Sequence, residues 1–280
     1  AWSDHGDLHR IMVRRFSGQE NTDLSLTISD APDPVPVGGA LEYTLITTNH
    51  HAPEAPTSIT PIDTAIGTST RQRLAITLGS GQKYVSATGA DWLCAASGNT
   101  AVNCASTRTQ APTTTRSLVL KLTAPTTFPV ATPATTGISA KVVGEQPDSN
   151  ETGDFVNNFD AESTRLCAKD TLALDAAHYY LLEGGSLTVR VKRTGAGCGS
   201  ASVQFTTVAG TAVPRGDYVH VSRLLTWADG DTADKTVTIQ SVNDTVPEGT
   251  QYFTVQLQKP NAFAVLGTAQ ATVEMPIDSD

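Results

Sequence analysis

In the last third of this 280-residue chain, carboxylates recur in turns between runs of apolar residues. They stand in L-E-G-G at Glu183, R-G-D-Y at Asp217, A-D-G-D at Asp229 and Asp231, N-D-T-V-P-E-G at Asp244 and Glu248, and I-D-S-D at Asp278 and Asp280. Like charges a few ångströms apart in a partly desolvated site cannot all stay ionised, so carboxylates gathered there need a cation. Calcium suits such loops because it takes roughly six to eight oxygen ligands in flexible geometry, whereas magnesium demands a tighter octahedron and keeps its waters. Cys and His are absent from the turns at Glu183, Asp217, Asp244 to Glu248 and Asp278 to Asp280, which disfavours zinc.

The elements that must bring these turns together are strands. From Leu172 the chain alternates apolar and polar residues in short runs, the pattern of half-buried antiparallel strands. The alternation predicts seven of them, at Leu172–Leu181, Ser186–Arg193, Ala201–Thr207, Tyr218–Trp227, Ala233–Ser241, Gln251–Gln258 and Gly267–Ile277. Successive connections of a sandwich lie alternately at opposite ends. This parity places Glu183, Asp217, Asp244, Glu248, Asp278 and Asp280 at one end, and Asp229 and Asp231 at the other. The bland alternative is that Glu183 and Asp217 only accept backbone hydrogen bonds in tight turns beside glycine.

The same residues carry a family resemblance. L-E-G-G, V-R-V-K-R-T-G, V-Q-F-T-T-V-A-G-T-A, R-G-D-Y, L-T-W-A-D-G-D, K-T-V-T-I, V-N-D-T-V-P-E-G and T-V-E-M-P-I-D-S-D follow one another in the order of a Calx-beta domain, which residues 168–280 resemble. The resemblance implies an immunoglobulin-like sandwich, of a kind found in sodium–calcium exchangers, in an integrin subunit and in secreted bacterial surface proteins. It also implies calcium ligands at Glu183, Asp217, Asp244, Glu248, Asp278 and Asp280. Ser279 stands where members often carry a third acid, and Thr250 and Gln251 where an acidic pair is common, so the implied affinity is modest.

The rest of the chain reads as a second sandwich. Charged residues are only 17% and no helical periodicity persists, which fixes the class as all-β. The length suits two tandem immunoglobulin-like antiparallel sandwiches, at 21–165 and 166–280, behind a leading segment 1–20. D-L-S-L-T-I-S-D-A-P-D-P-V-P-V-G-G-A-L-E-Y-T-L-I-T-T-N, Y-V-S-A-T-G-A-D-W-L-C, S-L-V-L-K-L-T-A-P and N-N-F-D-A-E-S-T resemble the bacterial repeat family catalogued as domain of unknown function eleven, which implies a spacer. Residues 52–82, rich in Thr, Pro and Ala, read as an insertion in that repeat. Residues 1–20 read either as a partner-paired or unstructured arm or, from W-S-D-H-G-D and R-R-F, as the end of a repeat similar to those of bacterial surface proteins. The chain opens mid-pattern and reads as an internal piece or processed product of something longer.

Cys94 and Cys104 lie symmetrically about the turn at Asn99, so a hairpin puts them opposite each other. Cys167 and Cys198 fall at the end away from the acids and form a second pair. Two bridges indicate an oxidising setting, the cell exterior, cell surface or periplasm. No nucleophile elbow, H-E-x-x-H or phosphate loop occurs, so no catalytic residues are assigned and the chain reads as a non-enzyme. The net charge of −9 disfavours nucleic acid, and no apolar run approaches the ~20 residues of a membrane-spanning helix. His50 and His51 read as surface residues, and Trp92 and Trp227 as core anchors. Of Tyr179 and Tyr180, adjacent on a strand, one should pack inward. The expected function is a non-catalytic calcium-binding stalk or adhesion segment of an exported bacterial protein, with neighbouring domains as partners. The alternatives are a glycan- or protein-recognition module using 52–82, accessory domains of a secreted hydrolase, or a filament subunit.

Overall fold

The structure, a computed structural model, describes residues 22–50, 70–127, 134–145 and 157–277. The expectations for the 1–20 segment, for His51 and residues 52–69 of the insertion, and for Asp278 and Asp280 fall outside those residues. All regular structure among the described residues is strand, as the alternation requires.

Two sheets enclose the first core. β1 (Leu24–Ala31), β3 (Ala40–Asn49), β8 (Thr115–Thr123) and β5 (Lys83–Thr88) are antiparallel neighbours in the order β1-β3-β8-β5. Facing them are β2 (Val35–Pro36), β10 (Phe159–Cys167), β9 (Thr135–Gly144), β4 (Gln72–Leu78), β7 (Ala101–Ser106) and β6 (Trp92–Ser97), in the order β2-β10-β9-β4-β7-β6. Alternate residues of each strand point inward, so Leu41, Tyr43 and Leu45 of β3 meet Leu118, Leu120 and Leu122 of β8 and Val102 of β7 in one buried cluster. Each such side chain contributes about 1.5–3 kcal/mol of burial.

β4 overturns part of the expected insertion. Gln72–Leu78 is not surface loop but a strand between β9 and β7, with Leu74, Ile76 and Leu78 buried. The R-L-A-I-T-L alternation is a half-buried strand signal, masked in composition by the Thr- and Pro-rich residues before it.

The second core lies between two further sheets. β16 (Lys235–Gln240), β13 (Ser186–Thr194), β11 (Asp170–Leu174) and β18 (Ala264–Leu266) form the first, in the order β16-β13-β11-β18. β12 (His178–Tyr180), β19 (Gln270–Met275), β17 (Gln251–Gln258), β14 (Ala201–Val208) and β15 (Ser222–Trp227) form the other, in the order β12-β19-β17-β14-β15. Trp227, Phe205, Phe253 and Tyr218 fill the interior, and Tyr218 stacks on Phe253 with ring centroids 4.0 Å apart. The fold is all-β, two immunoglobulin-like sandwiches in tandem.

Three of the seven expected strands need correction. Leu172–Leu181 is two strands, because the chain bends at Asp175-Ala176-Ala177 and passes from the sheet of β13 to that of β19. Asp175 holds the bend: its amide donates to Arg190 O (3.1 Å) and its carboxylate accepts the Tyr179 hydroxyl (2.6 Å). The strand expected from Tyr218 starts at Ser222, since Tyr218 makes only isolated bridges. β18 precedes the last strand, which begins at Gln270 rather than Gly267.

Candidate metal centre

Glu183 lies in the turn between β12 and β13, Asp217 in the connection from β14 to β15, and Asp244 and Glu248 in that from β16 to β17. Hydrogen bonds gather these connections at one end of the second sandwich. Gly185 N donates to Ser241 Oγ (2.8 Å), Ser241 N to Gly185 O (3.1 Å), and Ser241 Oγ to Leu182 O (2.8 Å). Val242 N donates to Asp217 O (2.9 Å), and Ala212 N to Tyr252 O (3.0 Å) at the start of β17. Gln251 pairs with Met275, so β19 ends where β17 begins. The parity argument thus holds for the four described acids.

Each of three carboxylates already takes a loop amide. Glu183 Oε1 accepts from Asp244 N (2.8 Å), Asp244 Oδ1 from Val246 N (2.8 Å), and Asp217 Oδ2 from Val213 N (2.6 Å). Asp217 is buried, while Glu183, Asp244 and Glu248 are half-buried. The turn-forming role of Glu183 and Asp217 is therefore real. It does not exhaust them, because an ionised carboxylate has about four lone-pair positions. Among the described residues, no three acidic, His or Cys side chains stand close enough together to hold a metal. The donors offered are all oxygen, which fits a hard cation of the calcium type.

Gly184 makes the approach of the two turns feasible. Its φ is +66°, a left-handed conformation that strains most other residues, and a Cβ there would stand 2.6 Å from Asn243 Oδ1 and oblige that side chain to move.

The opposite end is built on an ion pair that the motifs did not single out. Arg193 Nε donates to Asp170 Oδ2 (2.7 Å), with both side chains essentially sealed from solvent. Its other nitrogens donate to Ala228 O (3.2 Å), Asp231 O (2.9 Å), Cys198 O (3.3 Å) and Gly199 O (2.8 Å). Strand parity is the signal that finds it, for Arg193 shares the inward face with Val189 and Val191. Asp229 and Asp231 sit at this end, as expected. Asp229 accepts from the Arg165 guanidinium and from Gly199 N (2.7 Å), and these two bonds, Arg165's first, hold its carboxyl below the usual carboxylate range. Lys235 and the Ala233 amide do the same for Asp231.

The structure contains both expected disulfides, Cys94–Cys104 and Cys167–Cys198. The first joins directly opposed residues of β6 and β7. The second links the end of β10 to the connection after β13, at the end of the second sandwich opposite Glu183, Asp217, Asp244 and Glu248. Trp92 and Trp227 are buried, and Tyr179 is half-buried while Tyr180 is exposed. His50 is exposed and bonded to Ser25 Oγ (2.6 Å). No helix among the described residues is long and apolar enough to cross a membrane.

Among solved structures, the chain is similar to the apo form of the Calx CBD1 domain, at 29% identity over 40% of this chain and 99% of that one, with a TM-score of 0.38. It is similar also to the calcium binding domain CBD12 of CALX1.1, at 30% identity over 37% of this chain and 44% of that one, TM-score 0.35. The major pilin subunit of Bacillus cereus aligns at 8% identity over 92% of this chain and 67% of its own length, TM-score 0.34. No curated protein matches the chain. The family model described as Calx-beta domain matches residues 168–279, the span of the second sandwich.

Proposed function

We propose that the chain is a non-catalytic, calcium-binding stalk segment of an exported surface protein, in which the second sandwich takes the metal and the first is a spacer of the resembled bacterial repeat type. Glu183, Asp217, Asp244, Glu248, Asp278 and Asp280 are the proposed ligands. The observation that carries the reading is the bond from Asp244 N to Glu183 Oε1, beside that from Val242 N to Asp217 O, in a segment that matches the Calx-beta model. These bonds bind three acid-bearing connections to one another before any metal arrives.

A bound calcium ion would neutralise the carboxylates and supply no chemistry beyond cross-linking. The chain's own part is to hold the turns in register. The Ser241 hydroxyl and Gly185 amide lock the 182–185 turn to the 241–244 connection, and Asp217 closes its own loop through Val213. Binding to the folded state alone raises its stability by about 2.7 kcal/mol at a hundredfold excess over the dissociation constant. The two disulfides support an oxidising location.

The test is calorimetric titration of calcium into chelator-treated chain, with parallel thermal melts, in the native protein and in Asp217→Asn with Asp244→Asn. The Asn side chains keep an acceptor for the Val213 and Val246 amides while removing charge. Saturable heat and a calcium-dependent rise in melting temperature, both lost in the variant, are expected. Native protein that shows neither would leave these acids as turn formers only.

A further inference from the structure

The first sandwich ends in a polar layer. On the six-stranded sheet, Gln72 of β4 donates its backbone N–H to Ser106 Oγ of β7 (2.8 Å), and Ser106 is paired in register with Trp92 of β6. On the facing sheet, Thr47 of β3 is paired with Arg116 of β8. All five occupy inward positions of their strands. The layer is closed across the gap by Thr47 Oγ1, which donates to Gln72 Oε1 (2.9 Å), and the Arg116 guanidinium carbon stands 5.7 Å from the Trp92 ring centroid. Gln110, itself buried, covers it by donating from Nε2 to Thr47 O (3.3 Å) and Thr114 O (2.6 Å).

Among the described residues, three buried side-chain nitrogens have no hydrogen-bond acceptor: Gln72 Nε2, Trp92 Nε1 and Arg116 Nη1. All three belong to this layer. Gln72 is 1% exposed and Trp92 8%. The amide oxygens beside them, Gln72 Oε1 and Gln110 Oε1, lie 2.9 Å and 3.3 Å from the Thr47 hydroxyl, whose single proton serves one of them at a time. A buried N–H left unpaired is costly, and an uncompensated guanidinium more so. Arg116 Nη2 donates to Thr109 O (3.2 Å), while the Asp91 carboxylate, whose charge also acts on Arg116, is paired at 3.5 Å with the exposed Arg108. Burial accordingly lowers the basicity of Arg116, with Asp91 only partly opposing it.

We propose that this layer binds a small monovalent anion of halide size, held by Gln72 Nε2, Trp92 Nε1 and Arg116 Nη1. A water molecule fits the site less well. It accepts at two positions, where the layer offers three donors, and it brings no charge to balance the guanidinium. A halide accepts several N–H groups, donates none, and balances the guanidinium. The site lies in the first sandwich and is independent of the calcium reading.

The experiment uses the whole chain at constant ionic strength, with sodium chloride replacing sodium gluconate stepwise in thermal melts, and crystals grown in bromide for anomalous scattering. Trp92→Phe keeps the ring and removes one donor. The expected results are a melting temperature that rises saturably with chloride, a bromide peak among the three nitrogens, and a half-saturation at least threefold higher in Trp92→Phe. Crystals without that peak overturn the proposal, whatever the melts show, and this arm stands even if the variant does not fold. A chloride response identical in native and Trp92→Phe protein also overturns it. The layer would then close on itself, with the Gln72 amide turned over to accept from its neighbours.

Discussion

Replacing Arg193 by Met should cost the second sandwich about 3–5 kcal/mol, the loss expected when one partner of a buried ion pair is removed and the other is left charged. The Arg193 and Asp170 side chains are 0% and 1% exposed, so solvent does not screen the loss. Four carbonyls, of Ala228, Asp231, Cys198 and Gly199, lose their donor at the same time. Some of these turn to water as the loops relax, so their individual penalties of about 1–3 kcal/mol do not simply add. Arg193→Lys should fare little better, because an ammonium replaces a fixed five-donor fork with a single point of attachment. Asp170→Asn with Arg193→Met, which removes both charges, should recover part of the loss. The assay is urea unfolding followed by tryptophan fluorescence, since Trp227 is buried in this core with its Nε1 on Ala233 O (2.7 Å). The midpoint should fall without a change in slope. A loss below about 1 kcal/mol for Arg193→Met, or a double variant as unstable as the sum of the singles, would falsify the hub role assigned to this arginine.

Gly184→Ala should destabilise by about 1–2 kcal/mol, through its left-handed φ and the contact with Asn243, and should weaken calcium binding by displacing the 241–244 connection; equal calcium titrations in variant and native protein would refute the link. Opening Cys94–Cys104 by double Ala substitution should cost about 2–3 kcal/mol for a short closed loop, read as a lower urea midpoint of the first sandwich. Acid should weaken the contact between Asp229 and Arg165. The folded carboxyl titrates below its unfolded value, so the contribution is complete above about pH 4 and is lost as pH falls through the lower folded value. Both side chains are over 40% exposed, which limits the effect to about 1 kcal/mol or less; Asp229→Asn should flatten the stability profile in that window, and an unaltered profile would exclude this pair as its source.

Which features were legible follows from how local their cause is. Cys94 and Cys104 could be paired because hairpin symmetry is a matter of counting residues about Asn99. The acid-bearing turns could be assigned to one end because parity survives errors of a few residues in strand bounds. The switch of sheet after Leu174 was hidden, since Asp175-Ala176-Ala177 carries no glycine or proline and is set by the Arg190 carbonyl and the Tyr179 hydroxyl. β4 was obscured by the composition of its neighbours. Arg193 passed as one more charge in V-R-V-K-R-T, although its place in the alternation marks it as inward. Its partner Asp170 lies on another strand, and no spacing rule connects them.

The Cys167–Cys198 bridge also determines how the chain bears tension. A pull transmitted along β10 reaches Cys167 and crosses the sulfur link to Cys198, whose Cα lies 5.5 Å away, without entering the interval between them, a sequence separation of 31. That interval holds β11, β12, β13 and the Glu183 turn. At roughly 3.3–3.6 Å per residue it withholds about 100 Å of contour length from extension. Oxidised, the segment would yield only the length stored after Cys198, and the Glu183 carboxylate would keep its place against β13 while the connections bearing Asp217 and Asp244 took the load.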